Sequence, residues 1–429
     1  MLKNIYRKVK KVYPKLQIYY PSYYQTYNDL KKFEVLSEDE KLQKVILKIK
    51  KLVKYACENF HEYREIYSKN DCSHNDIVDL ENFKIFPTTD KEFIRKLIFN
   101  NEASLCKYKY ISTAGSTGNN FEFYEKTSAF WRDKAFVNYY WNKFREPGDQ
   151  CCVMRGQFIG NDKILINYNY IHSQWEFSTY HFNDKFKDKF TSFLQCNKIE
   201  HIHAYPSAIE YFINSFPDID YEFVKSILLS SEVCDQNLYE KITQKFPHAK
   251  VINLYGQSEK VLFATNHNNS PRVKFNLNYG FPEFYPTKTI NQNGIIGTSF
   301  VQKLIPFIKY KIDDLCRVNI ETCEYEILGR QHEFLYHTND SKIYVSSINM
   351  HDKVFKGVTD YQFVQNKSGF ILFKYVLNSQ GDNQINLENV KRALQEKLGH
   401  TSVIKFKRVE SIERFRLNKK RIVIHGEFE

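Results

Sequence analysis

Nine cysteines run from Cys57 to Cys323, yet no two stand at a Cys-x-x-Cys spacing and none joins histidines in a zinc-ligand array. A structural zinc is therefore not expected, and unpaired thiols suit a reducing compartment, so a cytoplasmic location is expected. No run of residues approaches the roughly 20 apolar positions needed to span a bilayer. The opening stretch Met1–Lys15 carries charge but no apolar core of signal-peptide length. Internal repeats and low-complexity linkers are also missing. Nucleic acid is not an expected partner: there is no zinc-finger spacing and no RNP-type aromatic motif, and the net charge of +12 is spread through segments rich in Asp and Glu.

One basic cluster is local. Lys3, Arg7, Lys8, Lys10, Lys11 and Lys15 have no acid among them, and Leu2, Ile5, Val9 and Val12 recur at helical spacing on the other side. An amphipathic helix docked on the protein is the favoured reading. Peripheral membrane association through the same face is the alternative.

The rest is globular in balance, 42% hydrophobic and 26% charged over 429 residues. At roughly 100–200 residues per domain, two or three domains are expected. Leu42, Val45, Ile46, Ile49, Leu52, Val53 and Ala56 keep a three-four spacing that predicts a helix over 38–67. Asp90 suits the N-cap of a helix over Lys91–Phe99. Strand-length apolar runs follow at Cys151–Met154, Ile202–Ala204, Ile227–Leu229 and Val251–Leu254, with helical patterns at Ala208–Asn214 and Asp235–Lys245 between them. That alternation predicts an α/β domain with mostly parallel sheet. Beyond about residue 270 the pattern turns to strands separated by turns. Residues 331–429 read as a smaller α+β unit with strands in Val364–Leu377, a helix at Leu387–Leu398 and a last strand at Ile422–Ile424.

Five segments carry candidate chemistry. Ser112-Thr113-Ala114-Gly115-Ser116-Thr117-Gly118-Asn119-Asn120 follows a strand, and its small hydroxyl-bearing residues let backbone N–H groups approach a polyphosphate. It lacks the Gly-Lys-Ser/Thr of a Walker loop. Tyr255-Gly256-Gln257-Ser258-Glu259 ends the strand at Val251–Leu254, and a single carboxylate there suits Mg²⁺, which takes one or two protein carboxylates plus phosphate oxygens and water. Pro306–Asp314, Gly329–Glu333 and the basic Arg414–Arg421 complete the set.

In that order the five resemble the motifs of the adenylate-forming superfamily, which includes acyl-CoA synthetases, luciferases and peptide-synthetase adenylation domains. The first resembles Thr-Ser-Gly-Ser/Thr-Thr-Gly-x-Pro, with Ala114 for Ser and Asn120 for Pro. The second is similar to Tyr-Gly-x-Ser/Thr-Glu, in which the ring lies against adenine and the Glu holds Mg²⁺. The third resembles Pro-x-x-Arg-Tyr-x-Thr-Gly-Asp, with Ile312 and Asp313 in place of Thr-Gly and Asp314 on the ribose-gripping carboxylate. The fourth resembles Gly-Arg-x-x-Asp/Glu, which implies Arg330 on ribose and phosphate and a hinge at Gln331–Glu333. The fifth is similar to Pro-Arg-x-x-x-Gly-Lys-x-Arg, which implies Lys419 as the catalytic lysine, Asn418 in the place of Gly and Lys420 as the fallback register.

Further segments resemble the CapK-like and phenylacetate–CoA-ligase-like branch. They are His203–Ser207, Leu229–Val233 with Ser231 and Glu232 beside adenine, Lys260–Ala264, Ser347–Asp352, Tyr361–Gln365 and the early Lys54–Arg64.

The resemblance implies an N-terminal ATP- and acid-binding domain over 1–330 and a small mobile α+β domain over 331–429 that carries Lys419. Nucleotide contacts are expected from Ser112, Thr113, Gly115, Ser116, Thr117, Gly118, Ser231, Glu232, Tyr255, Gly256, Gln257, Ser258, Asp314 and Arg330, with Glu259 on Mg²⁺. The implied substrates are ATP and a small carboxylic acid, followed by transfer to a sugar, to CoA or to a carrier, and polysaccharide biosynthesis is the preferred context. An acyl-CoA ligase, an adenylyltransferase and an inactive nucleotide-binding homologue remain as alternatives. His201 and His203 read as core or pocket residues rather than metal ligands, and Cys151-Cys152 as small core residues.

Overall fold

Ser37 starts the first long helix, Glu38–Asn59, through a reciprocal cap: Glu40 N donates to Ser37 Oγ (3.3 Å) and Ser37 N to Glu40 Oε2 (2.9 Å). Glu38, Asp39 and Glu40 add negative charge at the helix's positive end. Val45, Ile49, Val53 and Ala56 form the fully buried stripe that the spacing requires. The expected single helix over 38–67 is broken at Phe60, which is extended (φ −129°, ψ 122°) before a second helix, His61–Ser68. Phe60 N still closes the first helix on Ala56 O at 2.9 Å, while the extended turn drops the Phe60 ring into the core.

The computed structural model describes residues 20–113, 121–146, 148–157, 165–169, 172–178, 187–215, 221–287, 292–319, 321–330, 334–338, 342–344, 348, 355, 358–377, 385–410, 412, 414–415, 419–420 and 423–426. The basic stretch 1–15, the loop 114–120, Gln331–Glu333 and Asn418 lie outside the described residues.

The helical stripe packs on a hairpin of β1 (Lys109–Thr113) and β2 (Phe121–Glu125) and on residues 304–312, in one core with Tyr63, Phe86, Phe121, Phe123, Phe307 and Tyr310. Its neighbour is an eight-stranded sheet ordered β10-β9-β8-β7-β6-β3-β5-β4. The members are β3 (Cys151–Gln157), β4 (Ile166–Asn169), β5 (Gln174–Ser178), β6 (His201–Ala204), β7 (Ser226–Ser230), β8 (Lys250–Gly256), β9 (Phe263–Thr265) and β10 (Lys274–Phe275). The run β3, β6, β7, β8 is parallel, with helices Pro206–Ser215 and Gln236–Lys245 as its crossovers. Burial on both faces explains the continuous apolar runs: one face packs on those crossover helices, the other on Trp141 of the helix Thr127–Trp141. Asp235 caps the second crossover by accepting from Leu238 N (2.8 Å).

An antiparallel sheet follows, β11 (Gly280–Pro286), β12 (Asn293–Ser299), β13 (Tyr310–Asn319) and β14 (Glu324–Arg330). Short strands β15 (Phe334–Tyr336) and β16 (Lys342–Tyr344) lead to the small C-terminal sheet domain. There β17 (Val358–Lys367), β18 (Phe370–Leu377), β19 (Val403–Arg408) and β22 (Val423–His425) pair in the order β19-β18-β17-β22 and pack on the helix Leu387–Leu398. The expected strand region Val364–Leu377 spans the end of β17, the turn and all of β18 in a hairpin that turns at Gly369, whose φ of +74° a residue with a Cβ adopts only with strain. The short pair β20 (Arg414–Phe415) and β21 (Lys419–Lys420) lies near the C-terminus. The fold class is the expected one, α/β with a parallel sheet and a small α+β unit at the end.

Gly280, on β11, packs against the backbone of the bend that leads into β9. A Cβ there would overlap the Val261 carbonyl oxygen and lie 2.9 Å from the Thr298 oxygen. Both neighbours are backbone, so Gly280→Ala is expected to cost about 3 kcal/mol, the upper end of overpacking penalties. Urea unfolding should show a lowered midpoint with an unchanged slope, and wild-type stability would mean the bend yields easily.

Candidate functional site

The parallel strands β6, β7 and β8 end side by side at Ala204, Ser230 and Gly256, and an open α/β sheet binds ligands outside such carboxyl ends. At the end of β8 the Tyr255 hydroxyl donates to Asp314 Oδ2 at 2.8 Å. Burial first, and then the Asp314 carboxylate, push the Tyr255 phenol well above its ordinary value, so it stays a neutral donor. Its ring meets Phe275 edge-on at 5.8 Å. Asp314 is the direct cross-strand partner of Arg330, one residue past Gly329 with φ +85°. Segments 59 and 75 positions apart in sequence therefore converge on one point. Arg330 is described for its backbone alone.

At the end of β7, Ser231 is exposed and left-handed (φ 70°). Its side chain lies against the Tyr205 phenol, which burial holds above its usual value. Glu232 lies 3.9 Å from Lys397 Nζ, which brings the helix Leu387–Leu398 of the C-terminal domain to this strand end. Ser112 is exposed at the end of β1 and Thr113 is described for its backbone alone. Gly115, Ser116, Thr117 and Gly118 lie outside the described residues, in the connection from β1 to β2.

A tie the sequence did not reveal anchors that hairpin. Lys260 Nζ donates to Glu125 Oε2 at 2.6 Å, joining the last residue of β2 to the residue after Glu259. Lys260 is left-handed (φ 57°), its amide bonds to Gln257 O (2.9 Å), and its carbonyl accepts from Ser299 Oγ (2.6 Å). Gln257 accepts from Leu262 N through Oε1 (3.0 Å), and its side chain also acts on the Tyr255 phenol. Gly256 and Ser258 are exposed on the bend.

The carboxylate of Glu259 helps push the buried Tyr310 phenol far up, after burial itself, so the acid lies beside that ring. One partly exposed carboxylate suits Mg²⁺, which takes one or two protein carboxylates with its remaining positions open to phosphate oxygens and water, and in this respect Glu259 fits. Tyr310 is held by strand-like bonds between Thr89 and its neighbours: Thr89 N to Lys309 O (2.9 Å) and Lys311 N to Thr89 O (2.8 Å). Lys309, which the sequence marked only as part of a motif, is a buried structural cation. It is left-handed (φ 46°) and bonds Glu283 Oε1 (2.6 Å), Lys84 O (2.9 Å) and Phe83 O (3.2 Å). Ile312 is buried in the core, and Asp313 pairs with Lys91 at 2.5 Å.

Lys419 belongs to β21 and is the cross-strand partner of Phe415, while Lys420 pairs with Arg414; only their backbones are described. His201 and His203 share a buried face of β6, as expected of packing residues. His201 Nδ1 is 2.9 Å from Ser226 Oγ, and His203 Nε2 is 3.0 Å from Ser230 Oγ. Cys151 and Cys152 are fully buried, and burial pushes both thiols up. Sequence reasoning also passed over Lys134 and Arg155, two half-buried cations beside His203. The signal available was the triplet Arg132-Asp133-Lys134 inside an otherwise aromatic helix.

Residues 335–426 match the family model of the CapK C-terminal domain. No curated protein matches the sequence. Among solved structures, 2-hydroxyisobutyryl-CoA ligase in complex with 2-HIB-AMP and CoA in the thioesterification state is similar, with a TM-score of 0.56 and 16% identity over 91% of this chain and 90% of that one. The same ligase in the postadenylation state with 2-HIB-AMP gives 0.54, and in an open conformation with 2-HIB-AMP and CoA 0.51, each at 16% identity over 91% of this chain. At that identity the likeness establishes the fold alone, the one these CoA-ligase structures share.

The Lys260–Glu125 tie makes a direct expectation. Lys260→Met keeps the length of the side chain but leaves the buried Glu125 carboxylate with only the exposed Lys109 ammonium at 3.8 Å, which costs about 3 kcal/mol, the lower end for breaking a buried pair. Urea unfolding should show that loss, and Glu125→Gln added to Lys260→Met should recover a large part of it. A double variant no more stable than the single one would mean the two residues act independently.

Proposed function

We propose that this chain is an AMP-forming ligase that activates a carboxylic acid with ATP and passes the acyl group to an acceptor. The observation that carries the reading is the Tyr255 hydroxyl on Asp314, next to the backbone of Arg330, at the carboxyl ends of parallel strands. ATP would lie with its adenine along Tyr255 and Ser231–Glu232, its ribose on Asp314 and Arg330, and its phosphates under the loop that runs from Ser112 through Gly118. Mg²⁺ bound at Glu259 would screen the phosphates. The substrate carboxylate oxygen attacks the α-phosphorus, the bond to the β-phosphate oxygen breaks, and pyrophosphate leaves. No protein nucleophile is required, so catalysis rests on positioning and on charge stabilisation.

In this reading residues 1–330 bind ATP and acid, and 331–429 form the small domain that brings Lys419 to the α-phosphate and turns away for the second step. The preferred acceptor is a sugar of a capsular or surface polysaccharide, which the CapK C-terminal match supports. Transfer to CoA is the second reading, favoured by the likeness to a ligase whose structures hold 2-HIB-AMP and CoA. Pyrophosphate release from ATP over a panel of acids tests the first step, and its absence with every acid would leave a nucleotide-binding scaffold. Adding CoA or an amino sugar separates the acceptors.

Two variants sharpen the test. Asp314→Ala removes a charged hydrogen-bond partner worth roughly 1.5–3 kcal/mol, so calorimetry should show ATP affinity lower by one to two decades in a folded protein. Unchanged affinity would take Asp314 out of the site. Lys419→Ala should slow adenylation by at least about 10²-fold while sparing ATP binding, because its charge serves the transition state. If Lys420→Ala abolishes the reaction instead, the register of the tail is one residue later.

A further inference from the structure

Trp141, at the end of the helix Thr127–Trp141, donates from its indole nitrogen to Ser226 Oγ (3.1 Å) at the start of β7, and its ring meets His203 edge-on at 5.4 Å. Lys134 lies two helical turns earlier on the same side, about 10 Å along the axis. Lys134 feels the charges of Arg145, Arg155 and Asp133 and acts on the His203 ring, which places it beside β3 and β6. Its neighbour Asp133 accepts from the Tyr279 hydroxyl (2.8 Å) and feels the charge of Lys260, so this turn adjoins the bend after β8. Arg155 follows Met154, the partner of Ala204, and so lies level with Tyr205 at the carboxyl end of the sheet. Its Nη2 is 2.7 Å from Nδ1 and 2.6 Å from Nε2 of His203.

Neither cation has an acid within ion-pair distance among the described residues. Asp133 acts on Lys134 and Glu176 on Arg155 through space only, while their oxygens hydrogen-bond elsewhere: Asp133 to Tyr279, and Glu176 to Asn169 (2.8 Å) and Asn167 (3.2 Å). Arg155 Nε is buried without a hydrogen bond. Burial, then Arg145 and Arg155, lower the Lys134 pKa to about 8, and burial with Arg155 holds His203 neutral. Two cations kept close together in a partly desolvated recess, where apolar side chains would be cheaper, call for an anion from outside.

We propose that Lys134 and Arg155 receive a second anionic group of the acid substrate, which makes that substrate a dicarboxylic or phosphorylated carboxylic acid. The inference rests on the reading that the chain adenylates a carboxylate. One carboxylate meets the α-phosphate, and the distal anion sits deeper, between the helix Thr127–Trp141 and the ends of β3 and β6. His203 and the Tyr205 and Ser230 hydroxyls supply neutral polar groups around it.

The test uses the full chain. Calorimetry and thermal shift compare succinate, glutarate and adipate with butyrate, valerate and hexanoate, and add phosphoglycolate and inorganic phosphate as further arms. A member of the dianionic set should bind at least about 30-fold more tightly than the monoacid of equal length. Lys134→Gln and Arg155→Gln should each weaken it about 10-fold or more, as loss of a charged hydrogen bond does. Lys134→Arg should retain most of the affinity, which guards against a folding defect. Phosphoglycolate above the diacids would assign the distal anion as phosphate, and the reverse as carboxylate. Equal binding of monoacids and dianions overturns the proposal, as does a loss confined to ATP affinity in the variants. If dianions bind through both cations but no pyrophosphate is released, the adenylation reading falls and the anion site stands.

Discussion

Lys260 and Glu125 meet at 2.6 Å across 135 positions of sequence, both nearly inaccessible to water. Desolvating two charges costs several kcal/mol each, and their attraction offsets that only with good geometry and additional hydrogen bonds. The loop supplies one such bond directly: Lys260 Nζ also reaches Ser258 O (3.3 Å). Much of the site hangs on this contact. On one side stands β2, whose other end receives the chain from the phosphate-loop candidate. On the other is the bend carrying Tyr255, Gln257 and Glu259. Without the tie, hairpin and sheet would be joined mainly by apolar packing, which fills space but fixes direction poorly.

Three non-glycine residues at the site adopt the left-handed backbone, Ser231, Lys260 and Lys309. Each such residue costs roughly 1–2 kcal/mol, and strain of this kind persists only where surrounding contacts over-determine it. For the two lysines the compensation is visible, because each points its ammonium into a buried carboxylate, Glu125 or Glu283. The same backbone turn that is strained aims the side chain inward. For Ser231 the side chain is exposed at a strand end, beside Tyr205. Its strain accompanies an exposed strand end rather than core packing.

What could be read from the sequence was whatever is local. The apolar stripe of Val45, Ile49 and Val53, the caps at Asp90 and Asp235, and the buried runs at Ile227–Leu229 and Val251–Ile252 all follow from periodicity or single-residue chemistry. The cross-strand neighbourhood of Asp314 and Arg330 could be reached only through resemblance, since no local rule pairs positions 16 apart across a bulged hairpin. Phe60 escaped because helical spacing continues through it, and the break depends on where its ring finds room. Lys260, Lys309, Lys134 and Arg155 escaped for a related reason. Lysine and arginine are common on surfaces, and nothing in a charged residue's own sequence surroundings announces a buried partner 26 or 135 positions away.

The departures from the superfamily pattern follow from strand alternation. Where the motif it resembles has Thr-Gly, this chain has Ile312-Asp313 on β13, whose alternate side chains face opposite ways. Ile312 points into the core and Asp313 out to Lys91 at the first turn of the helix Lys91–Asn100, so both neighbours pin the strand. Asp314 lies within the irregular stretch: on the β12 side the pairing passes from Ile312 straight to Leu315, and on the β14 side it shifts between Leu315 and Cys316. Its carboxylate accepts from the Tyr255 hydroxyl at this bulge, where strands are often re-aimed. A Thr-Gly turn would reach a similar position through a flexible backbone. Here the position is held by a packed side chain and an ion pair instead, which makes Asp314 a preorganised acceptor although two of its motif neighbours differ.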